Sequence, residues 1–242
     1  MPSEPKRLPN VLTTVTQEQM LQALGQAWVQ LRHEAPTQGQ LCLLTAQSAF
    51  ETGWWKFMHC FNIGNVKSRE GDGCDFTYFA CWEMYSPAQA TSAMMGQGDL
   101  VSIEGNQNAE GKVKVWFKPD HPVCRFRAYE NLELAATDFL SKLMRRFSDA
   151  VPEKDAWGAA VAEDPVAFCH ALKLKGYYTG SEEIYTRQVK SIFDLLMKKP
   201  FDSTTFAVPE VPDAVPTEED LGNWRTIGML QHFGKEDEED KT

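Results

Sequence analysis

Between Leu43 and Trp55 the chain reads LLTAQSAFETGWW, and Glu51 is the one charged side chain in it. Small or apolar residues precede it, and Trp54 and Trp55 follow almost at once. A carboxylate at the end of a buried helix is costly to ionise unless it is paired. The nearest cation in sequence, Lys56, falls beyond the helix end. Two readings are open. Either Glu51 finds a distant partner or caps the helix, or it lines a cleft and keeps its proton. A proton held near neutral pH is what a general acid needs to protonate a glycosidic oxygen. The indoles would then lower the local dielectric and raise the pKa; one of them could equally be core.

These residues need a frame. Met20, Leu21, Leu24, Trp28 and Leu31 recur at helical spacing, which predicts an amphipathic helix near 17–33, with Thr16 placed to cap it. Residues 38–52 form a second helix, apolar nearly all round and so expected to be buried, and Gly53 stops it. DFTYFACWEMY and KVKVWFKPDHPVCRFRAY are rich in aromatic and β-branched residues and predict the two strands of a β-hairpin. The long connection between them is expected to be partly helical at 87–95. Helical pattern resumes at Asn131, with Leu132, Ala136, Phe139, Leu140 and Leu143 as its core face. Short helices follow near 155–162 and 164–174, then a long one capped by Ser181 and ended by Pro200. The expected fold class is α+β, mainly α: a helical domain over 16–200 with an inserted hairpin flap and a long loop. An extended arm (1–15) precedes it and a Pro- and acid-rich tail (201–242) follows.

Composition narrows the options. A net charge of −10 argues against a general nucleic-acid binder. No segment is apolar for long enough to cross a bilayer, and the first residues lack the apolar stretch of a secretory signal. The expectation is a chain made in the cytoplasm without a signal peptide. Cys42, Cys60, Cys74, Cys81, Cys124 and Cys169 are scattered, with no CxxC pair and no zinc-ligand spacing. Free, mostly buried thiols are expected, with bridges within 60–124 open to a protein that works outside the cell. His59, His121 and His170 make no metal constellation, and no phosphate loop is present, so neither metal nor cofactor is expected.

AQSAFETGWWKF, followed by FNIGNVK, resembles the glucosaminidase motif of glycoside hydrolase family 73. Ala46, Gln47, Glu51, Thr52, Gly53 and Trp54 match in order, as do Asn62 and Lys67, with Ile63 and Val66 as conservative replacements. Downstream, CRFRAYENLELAATDFLSKL is similar at Phe126, Arg127, Tyr129 and Asp138. FCHALKLKGYYTGSEEIYTRQV is similar at Leu172, Gly176, Tyr177, Thr179 and Tyr185. The departures are Gly64-Asn65 for the family's Phe-Gly, Trp55 for a glycine, Gly180 for an aspartate, and a longer hairpin region at 76–128. They bear on sugar subsites more than on the basic chemistry.

The resemblance implies a lysozyme-like fold and an enzyme that cuts peptidoglycan glycan strands, an endo-β-N-acetylglucosaminidase. Glu51 would be its general acid, at a helix end on the cleft floor. An inverting enzyme places a second carboxylate about 6.5–9.5 Å away to admit a water. The family carries such a residue on the hairpin. Glu83 is the first candidate, with Asp72, Asp75 and Glu104 as alternatives; a solvent-facing strand residue is the other reading of Glu83. Tyr177 matches a cleft tyrosine whose hydroxyl positions the water or steadies the transition state, unless it is a core tyrosine. Trp54, Tyr178 and Tyr185 are expected as subsite walls or packing. Asn62 either bonds an N-acetyl group or closes a turn. Phe126 and Tyr129 would line the groove. A lytic transglycosylase and a non-catalytic wall-binding module are the alternatives. Delivery would be by a non-classical or phage-associated route, with the tail docking on a carrier or immunity protein, or simply solvated.

Overall fold

The computed structural model describes residues 4–95, 98–105, 107, 111–199 and 206. The chain divides into two units. Pro5–Val208 forms one and carries all of the described helices and strands; the other joins Met1–Glu4 to Pro209–Thr242 and falls almost entirely outside the described residues.

Helices dominate. α1 (Gln17–Arg32) and α2 (Gln38–Glu51) each start on a reciprocal capping box, Thr16 with Gln19 and Thr37 with Gln40, which satisfies amide groups that helix starts leave bare. α1 buries Met20, Leu24 and Trp28 on one face. α2 has no exposed face to speak of: Leu41, Leu43 and Leu44 are each 0% exposed, and each contributes about 2 kcal/mol by burial. α3 (Pro87–Met94) lies in the inserted region. α4 (Leu132–Arg146) buries the predicted Leu132, Ala136, Phe139, Leu140 and Leu143. α5 (Ala156–Val161), α6 (Pro165–Leu174) and α7 (Glu182–Met197) complete the helical lobe, and α7 starts on the predicted Ser181 cap. One core cluster joins residues of α1, α2 and α4–α7. The fold is therefore α+β and mainly α.

The inserted region is richer than a hairpin with a long loop. Each predicted strand breaks in two. β1 (Phe76–Tyr78) and β2 (Cys81–Tyr85) come from the first run; β4 (Val113–Phe117) and β5 (Arg125–Arg127) come from the second. β1 pairs with β5, whereas β2 and β3 (Val101–Glu104) flank β4, all antiparallel. The expected long loop holds α3, a 3-10 turn at Gly98–Leu100 and β3. The register sets Cys81 opposite Phe117 and Glu83 opposite Val115. Side chains alternate along a strand, so Cys81, Glu83 and Tyr85 share the face of the small cluster formed by Val101, Val113, Val115 and Phe117.

Two features tie this flap to the helices. Arg127 on β5 makes a two-pronged contact with Asp138 on α4 (2.7 and 2.8 Å) and reaches Asp72 at 3.4 Å. The amino-terminal arm is extended, as expected, but is also stitched in. Leu8 N–H donates to Phe76 and Phe76 N–H to Lys6 (2.8 and 3.0 Å), while Cys60 N–H donates to Val11 at 2.8 Å. The stretch expected as tail contributes Phe206, 7% exposed, to the helical core. Its ring lies so close on Gly25 of α1 that a Cβ there would be 2.1 Å from it.

Candidate active site

Glu51 is the last residue of α2. The chain then turns sharply: Gly53, Trp54 and Trp55 take left-handed φ values of 57°, 55° and 61°. Such a run is costly for tryptophan, and local bonds hold it. Thr52 Oγ1 donates to the Ser48 carbonyl at 2.7 Å, Trp54 N–H to Ala49 at 2.7 Å, and the Trp55 indole N–H to Ser48 Oγ at 3.0 Å. The two indoles divide their roles. Trp55 is 4% exposed and belongs to the core, whereas Trp54 is 38% exposed and meets it edge-on.

Glu51 is of intermediate exposure as a residue, and its carboxyl meets a hydroxyl: Tyr185 O–H donates to Oε1 at 2.7 Å. Burial, the largest influence, pushes its pKa from an ordinary 4.5 up to about 7. Hydrogen bonds from Tyr185 and Asn65 pull the other way, and the charge of Glu83 adds to the rise. Asn65 also closes the carboxyl end of α2, its amide donating to the Glu51 carbonyl at 2.6 Å. It does so from a left-handed backbone (φ 48°), a conformation asparagine tolerates well.

Tyrosines wall this corner. Tyr178 stacks flat on Tyr185 (3.8 Å, 1°) and Phe50 meets Tyr185 edge-on at 4.9 Å. Tyr177 donates to the Gly64 carbonyl at 2.7 Å, and burial with the nearby Glu51 charge holds its phenol well above the usual range. Gln47, one turn before Glu51, is fully buried beside the same phenol.

Glu83 comes to this place from β2. Thr179 O–H donates to its Oε2 at 3.0 Å and Lys67 Nζ lies 3.5 Å from Oε1. Met84 N–H bonds Thr179 Oγ1 at 3.4 Å and Lys112 Nζ bonds the Thr179 carbonyl at 3.2 Å, so the flap grips the 179 loop of the helical lobe. The other acidic candidates are engaged elsewhere. Asp72 faces Arg127, Asp75 accepts from Lys6 N–H at 2.7 Å, and Glu104 meets Lys114 and the Trp116 indole.

Three expected substrate contacts are engaged within the protein itself. Asn62 is fully buried and closes a turn: its amide donates to Val66 and Arg127 (3.0 and 2.9 Å) and its oxygen accepts from Val66 N–H at 2.7 Å. Phe126 is 3% exposed, stacked on Phe79 with Lys67 over its ring at 4.0 Å. Tyr129 donates to Asp138 at 2.6 Å. Sequence reasoning gave no role to Asn65, Lys67 or Thr179, which hold Glu51 and Glu83 in place. Lys67 and Thr179 do stand within the matched blocks, a signal that was there to be used. His59 stacks on Phe79 and His170 pairs with Glu182. Among the described residues no three His, Cys, Asp or Glu side chains gather to hold a metal ion. No helix among them is long and apolar enough to cross a membrane.

No protein-family model matches the chain and no curated protein is similar to it. Three solved structures are. A peptidoglycan hydrolase mutant from Sphingomonas sp. A1 is 20% identical, covering 75% of this chain and 90% of that one, with a TM-score of 0.40. A C-terminally truncated glycoside hydrolase domain of FlgJ from Salmonella typhimurium is 18% identical, covering 76% and 99%, with a TM-score of 0.42. The catalytic domain of the autolysin Auto from Listeria monocytogenes is 12% identical, covering 81% and 91%, with a TM-score of 0.38.

Proposed function

We propose that this chain is a glycoside hydrolase of lysozyme-like fold that cuts the β-1,4 bonds of peptidoglycan as an endo-β-N-acetylglucosaminidase, with Glu51 as general acid. One observation carries the reading: on a residue of intermediate exposure, a carboxyl with no cation against it among the described residues, whose surroundings raise its pKa to about 7. A structural glutamate would be paired or solvated. This one holds a proton where an acid catalyst needs it.

In the proposed reaction Glu51 gives its proton to the glycosidic oxygen as the bond to the anomeric carbon breaks. The Tyr185 hydroxyl, already on Oε1, and the Asn65 amide favour the carboxylate that forms. Glu83 takes a proton from the water that attacks the opposite face of the sugar, and Thr179 and Lys67 fix both its oxygens for that task. Two carboxyls acting on opposite faces correspond to inversion. Trp54, the exposed indole, offers an apolar surface for a sugar face beside Glu51.

Purified peptidoglycan digested with wild type and with Glu51→Gln tests this by mass spectrometry of the products. Reducing N-acetylglucosamine ends from the wild type alone are expected. Anhydro ends would make the protein a transglycosylase, and binding without soluble product would make it a wall-binding module. Equal product from the variant would remove Glu51 from the mechanism.

A further inference from the structure

The flap carries a second reactive arrangement that the glycosidase reading does not use. Cys81 on β2 and Cys124, in the 3-10 turn Pro122–Cys124 that leads into β5, bring their sulfurs to 3.7 Å. Cys124 is fully buried and Cys81 is partly open to solvent. The Lys67 ammonium stands 3.4 Å from Cys81 Sγ and 3.5 Å from Glu83 Oε1. The described cysteines are all free thiols.

We propose that Cys81 and Cys124 are a redox pair that closes to a disulfide across the base of the flap, with Cys81 as the attacking sulfur. The other thiols lack this arrangement. Burial pushes Cys42 and Cys74 up to about 11 and Cys169 up to about 12, and Cys60 Sγ is turned to the Pro9 carbonyl at 3.2 Å. Cys81 goes the other way, downward, through its contact with the Cys124 thiol and the positive charge of Lys67. A thiolate that is partly exposed beside a resolving thiol is the arrangement exchange chemistry requires.

The oxidant is a small-molecule or protein disulfide. The Cys81 thiolate attacks one of its sulfurs, forms a mixed disulfide and releases the first carrier thiolate. The Cys124 thiol then gives up its proton and its sulfur attacks Cys81 Sγ, releasing the second. Two cysteine thiols and one carrier disulfide thus become one protein disulfide and two carrier thiols, the carrier gaining two electrons. Closing the bond takes the sulfurs from 3.7 Å to about 2.05 Å.

Closure would have two effects. The bond ties residues 43 positions apart, enclosing β2, α3, β3 and β4 in one covalent loop. It also removes the thiolate from Lys67, which keeps Glu83, the Val123 carbonyl at 2.7 Å and the Phe126 ring. That second effect rests on the proposed function, because it matters for turnover only if Glu83 acts in catalysis.

The test uses the full chain equilibrated with oxidised or reduced glutathione, alkylated, denatured, digested and mapped by mass spectrometry. One linked Cys81–Cys124 peptide is expected after oxidation, reversed by dithiothreitol, with the other cysteines alkylated. The melting temperature should rise by roughly 5–10 °C, and Cys124→Ala should show no rise. Lys67→Met should slow closure several-fold. Recovery of both cysteines alkylated, or each joined to glutathione or to another cysteine, overturns the proposal. The mapping needs no catalysis, so a protein that leaves peptidoglycan intact would refute the enzymatic reading and leave this one standing.

Discussion

Replacing Glu51 by Gln should make the protein more stable, by an amount that depends on pH. The carboxyl titrates at about 7 in the folded chain against an ordinary 4.5. Over that interval the unfolded chain gives up the proton more readily than the folded one does. Stability therefore falls as pH rises from about 4.5 to about 7 and levels off above. The two values set the loss at about 3 kcal/mol above neutral pH. Glutamine is neutral throughout, fits the same space and keeps an oxygen for the Tyr185 hydroxyl. Variant and wild type should unfold alike at pH 4 and separate progressively to pH 8, as read by urea or thermal unfolding across that range. For a unit of this size the gap at pH 8 corresponds to roughly 6–12 °C in melting temperature. The same variant should lose about 10²–10⁴-fold in wall cleavage. A stability difference of equal size at pH 4 and pH 8 would show that Glu51 is not held protonated by its site, and the acid-catalyst argument would fail with it.

Four further outcomes are expected. Tyr185→Phe removes a bond that lowers the Glu51 pKa, so the alkaline limb of the pH–rate profile should move to higher pH; a shift to lower pH would contradict the assigned hydrogen bond. Thr179→Val frees Glu83 Oε2 and should lower kcat about tenfold with KM nearly unchanged, whereas an effect confined to KM would place Thr179 in substrate binding. Asp138→Asn takes the charged, two-pronged partner from the Arg127 guanidinium, 13% exposed, and leaves it Asp72 at 3.4 Å; it should cost about 1.5–3 kcal/mol in chemical denaturation, and a neutral result would mean that Asp72 alone satisfies the charge. Phe206→Ala should lower stability by about 2–4 kcal/mol, and truncation after residue 199 should do at least as much harm as the point substitution; an unaffected truncation would remove Phe206 from the core.

The helices were legible because two independent signals agreed. Thr16 and Ser181 caps fell where the apolar periods of α1 and α7 began. The flap was legible only in outline. β3 is only four residues long and mostly exposed, so its Val-Ser-Ile-Glu alternation is too short to stand out, and it lay hidden in the long connection. The two aromatic runs looked continuous because nothing in them marks the change of partner after Tyr78, where pairing passes from β5 to β4. At the site, Glu51 stood out as a lone carboxylate in an apolar helix. Its partners did not, since they depend on separations no local pattern encodes: Tyr185 lies 134 positions away and Thr179 lies 96 from Glu83. Asn65 looked like a departure from a motif, and its left-handed turn gives that departure a purpose.

The docked arm bears on how this protein should be handled. Residues 6–11 lend backbone donors and acceptors both to the strand that opens the flap and to the segment just past the tryptophan turn. Trimming residues 6–11 for crystallisation would bare the N–H and C=O of Phe76 and the N–H of Cys60, and bare strand edges invite self-association. Aggregation of a shortened version would therefore say little about the helical lobe. An affinity tag is better joined through a spacer that leaves Lys6 to Val11 free to settle.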